Sequence, residues 1–445
     1  MDKGFVYAEG RRFMLEGQPI FLRGLGVGSW LNLEHFMMGV PGWDGEMRAC
    51  LNRECPDFSD RFTEAFFGYE DAAYLRSLGI NLIRVPINHH LFWNDQMDEP
   101  NPFGFEQLER LASICVAQGL YFLPDLHTTP GGQNPDWHSE CRTGTPLFWE
   151  FEAFQKRAVK IWSAIAERLK DCTALLGYDL LNEPVLPLGQ AGLLNRFYRR
   201  AITAIRKQDP RHLVFLEGDR FSMDFSSITP PCDPNWAYAY HFYPGVWNER
   251  LLDPAMDEKE RRKAFASALG EILDSMGEYE GPLLCGELGY ELSCLDPTFG
   301  IRLTQDTLYT VEERGSGWCL WCYKDARFMG LTYPSEHSGW MQLAGEIRKS
   351  WNHHAASRMG EEAVDALEAL CAYRFTPEEK YRMQFVLRAM TAHADAAHLL
   401  PPALEGLPPE ERAALPEDFT LSRCEKNAGL EAMLKKACAS EPAVW

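Results

Sequence analysis

An eightfold alternation of short apolar runs with longer amphipathic stretches is the strongest constraint on how this chain folds. The runs cover residues 21–26, 80–86, 120–126, 176–181, 212–216, 236–242, 283–288 and 318–323, each closed by a polar, Gly or Pro break. Helical spacing predicts helices over residues 63–78, 105–118, 148–169, 259–276 and 304–314. The second stops at Gly119, a residue suited to a left-handed helix end. No G-x-G-x-x-G follows the first run and opens a helix, which argues against a dinucleotide-binding sheet. Eight βα units predict an α/β fold, a (β/α)8 TIM barrel over residues 1–352. Residues 353–445 differ in character. Segments 361–373 and 377–400 are Ala-rich and helical, and 400–416 contains five prolines. They predict a helical extension packed on the barrel or on a partner chain, and they carry no functional motif.

Charge narrows the partners. The 44 basic and 64 acidic residues give a net charge of −20, which argues against nucleic acid or an anionic membrane and leaves a neutral sugar admissible. No stretch approaches the roughly 18 consecutive apolar residues of a membrane span. The 13 cysteines are odd in number and scattered, with Cys115, Cys285 and Cys319 inside apolar runs. That pattern predicts free, buried thiols in a reducing compartment. Cys319 and Cys322 lie three apart on a strand and face opposite sides, unlike a redox or metal pair. Residues 1–17 lack an apolar targeting core, so a cytoplasmic location is expected. Two long loops, 34–59 and 128–145, are expected to shape specificity.

Barrel chemistry sits at the C-terminal ends of the strands. Those ends carry Arg84 on the second, Asp125-Leu126-His127 on the third and Asn182-Glu183-Pro184 on the fourth. The sixth carries His241-Phe242-Tyr243, the seventh Gly286-Glu287-Leu288 and the eighth Trp321. Singly each has an ordinary explanation: a structural ion pair, a hydrogen-bonded histidine, a core aromatic. Jointly they place two carboxylates, an Arg, two His, a Tyr and a Trp at one barrel mouth. Cleavage of a glycosidic bond needs one carboxylic acid to protonate the leaving oxygen and a second carboxylate to attack or to activate water. The fourth and seventh strand ends lie across the mouth and can supply that pair.

This set is identified as similar to glycoside hydrolase family 5, within the clan A barrels. The resemblance covers roughly residues 15–350. It implies a retaining β-glycosidase with Glu183 as acid/base and Glu287 as nucleophile. Under that assignment Glu183 must hold a proton near neutral pH, and partial burial and the Glu287 anion are expected to raise its pKa. Arg84 and Tyr243 are the expected donors keeping Glu287 ionised. Asn182 is expected on the sugar 2-hydroxyl, His127 on another hydroxyl, His241 beside the acid/base, and Trp321 under the cleaved sugar.

Residues 23–34, ending Trp30-Leu31-Asn32-Leu33-Glu34, and 125–134, ending Gly132-Gln133-Asn134, resemble the exo-β-1,3-glucanase and β-glucosidase branch. Glu34 and Asn134 are then candidate contacts to the non-reducing-end sugar. Ser29, His35 and residues 37–43 depart from that branch, which leaves the leaving group open. An exo-acting enzyme on β-glucosides or short β-glucan oligosaccharides is the expectation. An endo-β-glucanase and a glycosylceramide-cleaving enzyme are the alternatives within the family, and a non-catalytic carbohydrate-binding barrel is the alternative outside it. His35, His89, His90, His127, His138 and His241 are potential metal ligands, but the first strand lacks the His-x-His of metal-dependent barrels. No metal or other cofactor is expected. Transfer versus hydrolysis, linkage and oligomeric state are left open.

Overall fold

A computed structural model describes residues 4–351 and 353–442. The apolar runs form strands β1 (Arg23–Gly26), β2 (Leu82–Asn88), β3 (Tyr121–Thr128), β4 (Gly177–Asp179), β5 (Leu213–Glu217), β6 (Trp236–His241), β7 (Leu283–Leu288) and β8 (Gly317–Leu320). They close into one parallel barrel in chain order, with β8 pairing back onto β1. Every residue of β2 and β3 is buried. Parallel strands covered on both faces need such continuous apolar runs, which is why the runs are legible. The register sets His241 opposite Glu287.

Helices α1 (Tyr69–Ser77), α2 (Pro102–Gln118), α3 (Glu152–Leu169), α4 (Gly192–Arg206), α5 (Glu258–Ser275), α6 (Pro297–Glu312) and α7 (Gly339–Ile347) cover the barrel. Between β5 and β6 the helix is reduced to the short Asp219–Ser222 turn. Two features correct the sequence expectation. Residues 63–78 form two helices rather than one, because Phe67 is extended and Gly68 donates its N–H to Asp71 Oδ2 at 2.9 Å to start α1. The helix α4 was not anticipated, although Leu193, Leu194, Phe197, Tyr198, Ala201, Ile202 and Ile205 recur at helical spacing on its buried face. Gly119 ends α2 in the left-handed conformation, as its position predicted.

A small antiparallel sheet (Tyr7–Glu9, Arg12–Leu15, Gln18–Ile20) precedes the barrel. Its Phe13, with Val6, packs on Leu22, Leu82, Leu123 and Leu176, plugging the barrel end opposite the strand C-termini. Among the described residues, that leaves the end formed by the strand C-termini open to a ligand.

The C-terminal helices α8 (His353–Leu370), α9 (Pro377–Glu405) and α10 (Ala428–Ala439) follow. Leu400, Leu404 and Leu434 belong to the same apolar cluster as the barrel. Phe419 packs against Phe62, Phe66 and Trp340. The buried Lys324 ammonium bonds the carbonyls of both Phe66 and Phe419 at 2.7 Å. The extension is thus joined to the barrel by a shared core. Pro401 and Pro402 lie within α9, so the helix continues past the point where prolines were expected to punctuate it. No helix among the described residues is long and apolar enough to cross a membrane.

Candidate active site

The open barrel end holds a cavity of about 480 Å³ lined by Glu34, His127, Glu183, His241, Tyr243, Glu287 and Trp321. Apolar side chains, among them Phe36, Trp137, Phe221, Val246, Leu252 and Phe328, line it as well. Its size and its few convergent polar groups suit a small-molecule ligand.

Arg84 is fully buried and organises the floor. Its Nη1 donates to Glu287 Oε1 at 2.6 Å, its Nε to Asp179 Oδ2 at 2.9 Å, and its Nη2 to Glu217 Oε1 and Asn182 Oδ1, both at 2.8 Å. Asp125 Oδ2 lies 3.5 Å from Nη1. One planar guanidinium thereby orients residues from β3, β5, β7 and the β4 region at once, which a point-charge lysine could not do. The other oxygen of Glu287 accepts from the Tyr243 hydroxyl at 2.8 Å.

Glu183 follows β4 and has a left-handed backbone, φ +47°. A non-glycine residue pays about 1–2 kcal/mol there, so its neighbours must hold it. Its N–H donates to Glu217 Oε2 at 2.7 Å and its carbonyl accepts from Asn134 Nδ2 at 2.9 Å. Both carboxylate oxygens meet imidazoles: His241 Nδ1 is 2.6 Å from Oε1 and His138 Nε2 is 2.8 Å from Oε2. An oxygen of Glu183, one of Glu287 and a ring nitrogen of His241 all lie within 4.8 Å of one another. These three groups could converge on an ion, but Arg84 already supplies the positive charge beside Glu287.

Protonation differs from the expectation that Glu287 raises Glu183. Burial pushes Glu183 up, but His138 and His241 outweigh it and hold the carboxyl below its usual range. Burial raises Glu287, reinforced by Glu183 and only partly opposed by His241 and Arg84. His241 is held well above its ordinary value, because Glu287, Glu217 and Glu183 outweigh its burial. His138 is raised chiefly by Glu183, against burial. The physical reason for the reversal is the second imidazole on Glu183, which no sequence motif placed there.

At the sugar-floor positions, Trp321 is buried and its ring lies parallel to His127, with an interplanar angle of 2° and centroids 5.8 Å apart. A Cβ on Gly28 would stand 2.6 Å from Trp321 Cζ2, and one on Gly26 would overlap the same ring. The two glycines of β1 and its loop therefore make the space for Trp321. His127 Nδ1 is 2.8 Å from Asp125 Oδ1 and its Nε2 is 3.4 Å from Glu34 Oε1. Burial works against its charge, but Asp125 and Glu34 lift it to about 10. Glu34 Oε1 is buried with that long contact to His127, and Asn182 Nδ2 is buried without a hydrogen-bond partner among the described residues.

Asn134 is placed differently from its expected sugar contact. It is fully buried behind the cavity, bonding the Glu183 carbonyl and reaching His138 Nε2 at 2.9 Å. Three site residues were not foreseen in their structural roles. Glu217 ends β5 one residue beyond the apolar run that marked the strand. Asp179 ends β4. His138 sits on the single turn Trp137–Ser139 of the second long loop, where no periodicity announces orientation.

Fold and site together define a (β/α)8 barrel glycoside hydrolase. The family "Cellulase (glycosyl hydrolase family 5)" matches residues 68–327. A "Beta-xylosidase" of Phanerodontia chrysosporium is 36% identical over 352 residues, covering 74% of this chain and 72% of that protein. "Glucan 1,3-beta-glucosidase 3" of Schizosaccharomyces pombe is 25% identical over 174 residues, 36% of this chain and 35% of that protein. Thermotoga maritima Cel5A, solved in complex with a mannotriose substrate, shares the fold at 17% identity with a TM-score of 0.54, over 70% of this chain and 92% of its own. This chain belongs to glycosyl hydrolase family 5.

Proposed function

We propose that this family 5 member is an exo-acting β-glycosidase that hydrolyses β-glucosides or short β-glucan oligosaccharides by double displacement. Glu183 is the acid/base and Glu287 the nucleophile. The observation that carries this is that one oxygen of Glu183 and one of Glu287 lie within 4.8 Å of each other. Retaining enzymes hold the pair about 5–5.5 Å apart, whereas inverting enzymes need about 6.5–9.5 Å to admit a water.

The steps follow from the contacts. The sugar lies over Trp321, and the free donor of Asn182 meets its 2-hydroxyl. Glu287, aimed by Arg84 and Tyr243, attacks the anomeric carbon while Glu183 protonates the leaving oxygen. Water, activated by Glu183, then releases the sugar from Glu287. Exo action is supported by the first loop, which brings the buried Glu34 carboxylate to the cavity beside His127. The β-xylosidase and glucan 1,3-β-glucosidase names among the relatives also favour it. An endo-β-glucanase is the second reading, favoured by "Endoglucanase C" of Acetivibrio thermocellus, 21% identical over 310 residues. We take residues 1–352 as the catalytic unit. All 13 cysteines are free, which supports a reducing, cytoplasmic setting.

A panel of glucosides, xylosides, mannosides, disaccharides and polymers, with products identified by NMR, tests this. Monosaccharide released as the β-anomer is expected. Oligosaccharide products from polymers would replace exo with endo action. An α-anomeric first product would refute the roles, and binding without turnover of any glycoside would make the protein a carbohydrate-binding barrel.

A further inference from the structure

His138 and Asn134 form a built arrangement on the acid/base that the reaction scheme above does not use. Asn134 cannot be flipped without loss. Its Oδ1 accepts from the Asp136 N–H at 3.0 Å and its Nδ2 donates to the Glu183 carbonyl at 2.9 Å. The second Nδ2 hydrogen therefore points at His138 Nε2, 2.9 Å away. That same Nε2 faces Glu183 Oε2 at 2.8 Å.

Two proton placements are possible along this line. With the proton on Nε2, His138 is an imidazolium donating to the Glu183 carboxylate, and the Asn134 N–H points at a nitrogen with no lone pair to offer. With the proton on Oε2, Glu183 is a neutral acid, and the single lone pair of the bare Nε2 is shared between the Oε2–H and the Asn134 N–H. The carboxylate's attraction favours the first placement, while the Asn134 amide favours the second. The second is the form a general acid needs.

We propose that His138 is a positioning residue that stores the acid's proton, and that Asn134 biases the proton toward Glu183 when substrate binds. This rests on Glu183 being the acid/base. The proton balance closes. His138 Nε2–H gives its proton to Glu183 Oε2, Glu183 gives it to the glycosidic oxygen as that C–O bond breaks, and His138 is left neutral. In the second step Glu183 takes a proton from the attacking water and returns it to His138. The charged groups facing His138 are Glu183 after β4, Glu34 from the first loop and Asp136 from its own loop, with the His127 ring 6.0 Å away. The three carboxylates all favour the imidazolium, so the proton is retained to higher pH than Glu183 could hold it unaided.

The test compares wild type with His138→Gln and Asn134→Ala in kcat/KM–pH profiles on two substrates. One is an alkyl β-glucoside, which needs protonation to leave. The other is a nitrophenyl β-glucoside, which leaves without it. His138→Gln is expected to lower kcat/KM on the alkyl glucoside at least tenfold, move its alkaline limb down by about one pH unit, and change nitrophenyl turnover less than threefold. Asn134→Ala should move the same limb the opposite way, up and by less, because without the amide the imidazolium is favoured and keeps its proton to higher pH. Equal losses on both substrates with an unmoved limb would overturn the proposal in favour of a merely structural role. NMR titration of 13C-labelled histidine supplies a readout free of activity. His138 should titrate well above ordinary histidine in the wild type and fall back in Glu183→Gln. An ordinary, unchanged His138 titration would overturn the storage role. Wild type inert toward every glycoside, yet showing the coupled titration, would refute the proposed function and not the coupling.

Discussion

Tyr243→Phe isolates one hydrogen bond to the proposed nucleophile. The hydroxyl lies 2.8 Å from Glu287 Oε2, and removing it leaves the ring, the shape of the cavity and the Arg84 bond to Oε1 in place. Glu287 is 5% exposed, so water replaces the lost donor poorly. A hydrogen bond to an ionised group contributes about 1.5–3 kcal/mol, and one pKa unit is about 1.4 kcal/mol. The bond stabilises the charged form, so its loss raises the Glu287 pKa by about 1–2 units. Glu287 must be ionised to attack, so the acidic limb of kcat/KM moves up in pH by that amount while the alkaline limb stays. The assay is a kcat/KM profile on a nitrophenyl glycoside, with thermal unfolding measured alongside to establish that the variant is folded. An unmoved acidic limb in a folded variant would refute the claim that Tyr243 holds Glu287 ionised. A shift of the alkaline limb instead would mean that the titrating roles of the two glutamates are exchanged.

Other perturbations separate role from scaffold. Glu287→Ala should lose activity and regain it with azide, giving the inverted azide product, whereas Glu183→Ala should keep appreciable turnover only on good leaving groups; identical behaviour of the two variants, followed by product NMR, would sink the division of roles. Gly28→Ala should cost about 1–3 kcal/mol by overpacking and raise KM, because the new methyl meets Trp321 and Met37; an unchanged KM would show that Trp321 does not floor the sugar. Asp44, buried between Arg48 and His90, provides a stability test. Burial raises its pKa but Arg48 and His90 bring it from 3.8 down to about 2. Its contribution is therefore present above pH 4 and lost as pH falls toward 2, worth about 2 kcal/mol. Asp44→Asn should be less stable than wild type at pH 7, and denaturant melts should show the gap closing near pH 2; a gap independent of pH would mean that packing, not charge, is what Asp44 supplies.

The reversal of the Glu183 expectation has a simple origin. Counting only Glu287 as its neighbour puts like charge beside the carboxyl, which raises it. His138 and His241 put two imidazoles on its two oxygens, which lowers it. Asn134 shifted from expected ligand contact to structural partner for the same reason: the loop carrying both residues turns them onto Glu183.

The barrel and most of its mouth were legible because both depend on short-range pattern. A parallel strand buried on two faces must be apolar, so its place in the chain is visible, and its C-terminal end follows directly. Arg84, His127, Glu183, His241 and Glu287 became candidates by that step, their joint placement set them apart, and the family resemblance supplied their roles. The short β4 and the end of β5 were blurred, so Asp179 and Glu217, which carry two of the Arg84 contacts, went unseen. Only the closed barrel could decide which of these groups touch. His138 lies 45 positions before Glu183 in the chain and 2.8 Å from it in space. A loop has no periodicity to fix which way its side chains point, so the proton arrangement at Glu183 is a product of tertiary structure, while the candidacy of the two glutamates was legible in the sequence, Glu183 just after β4 and Glu287 near the end of β7.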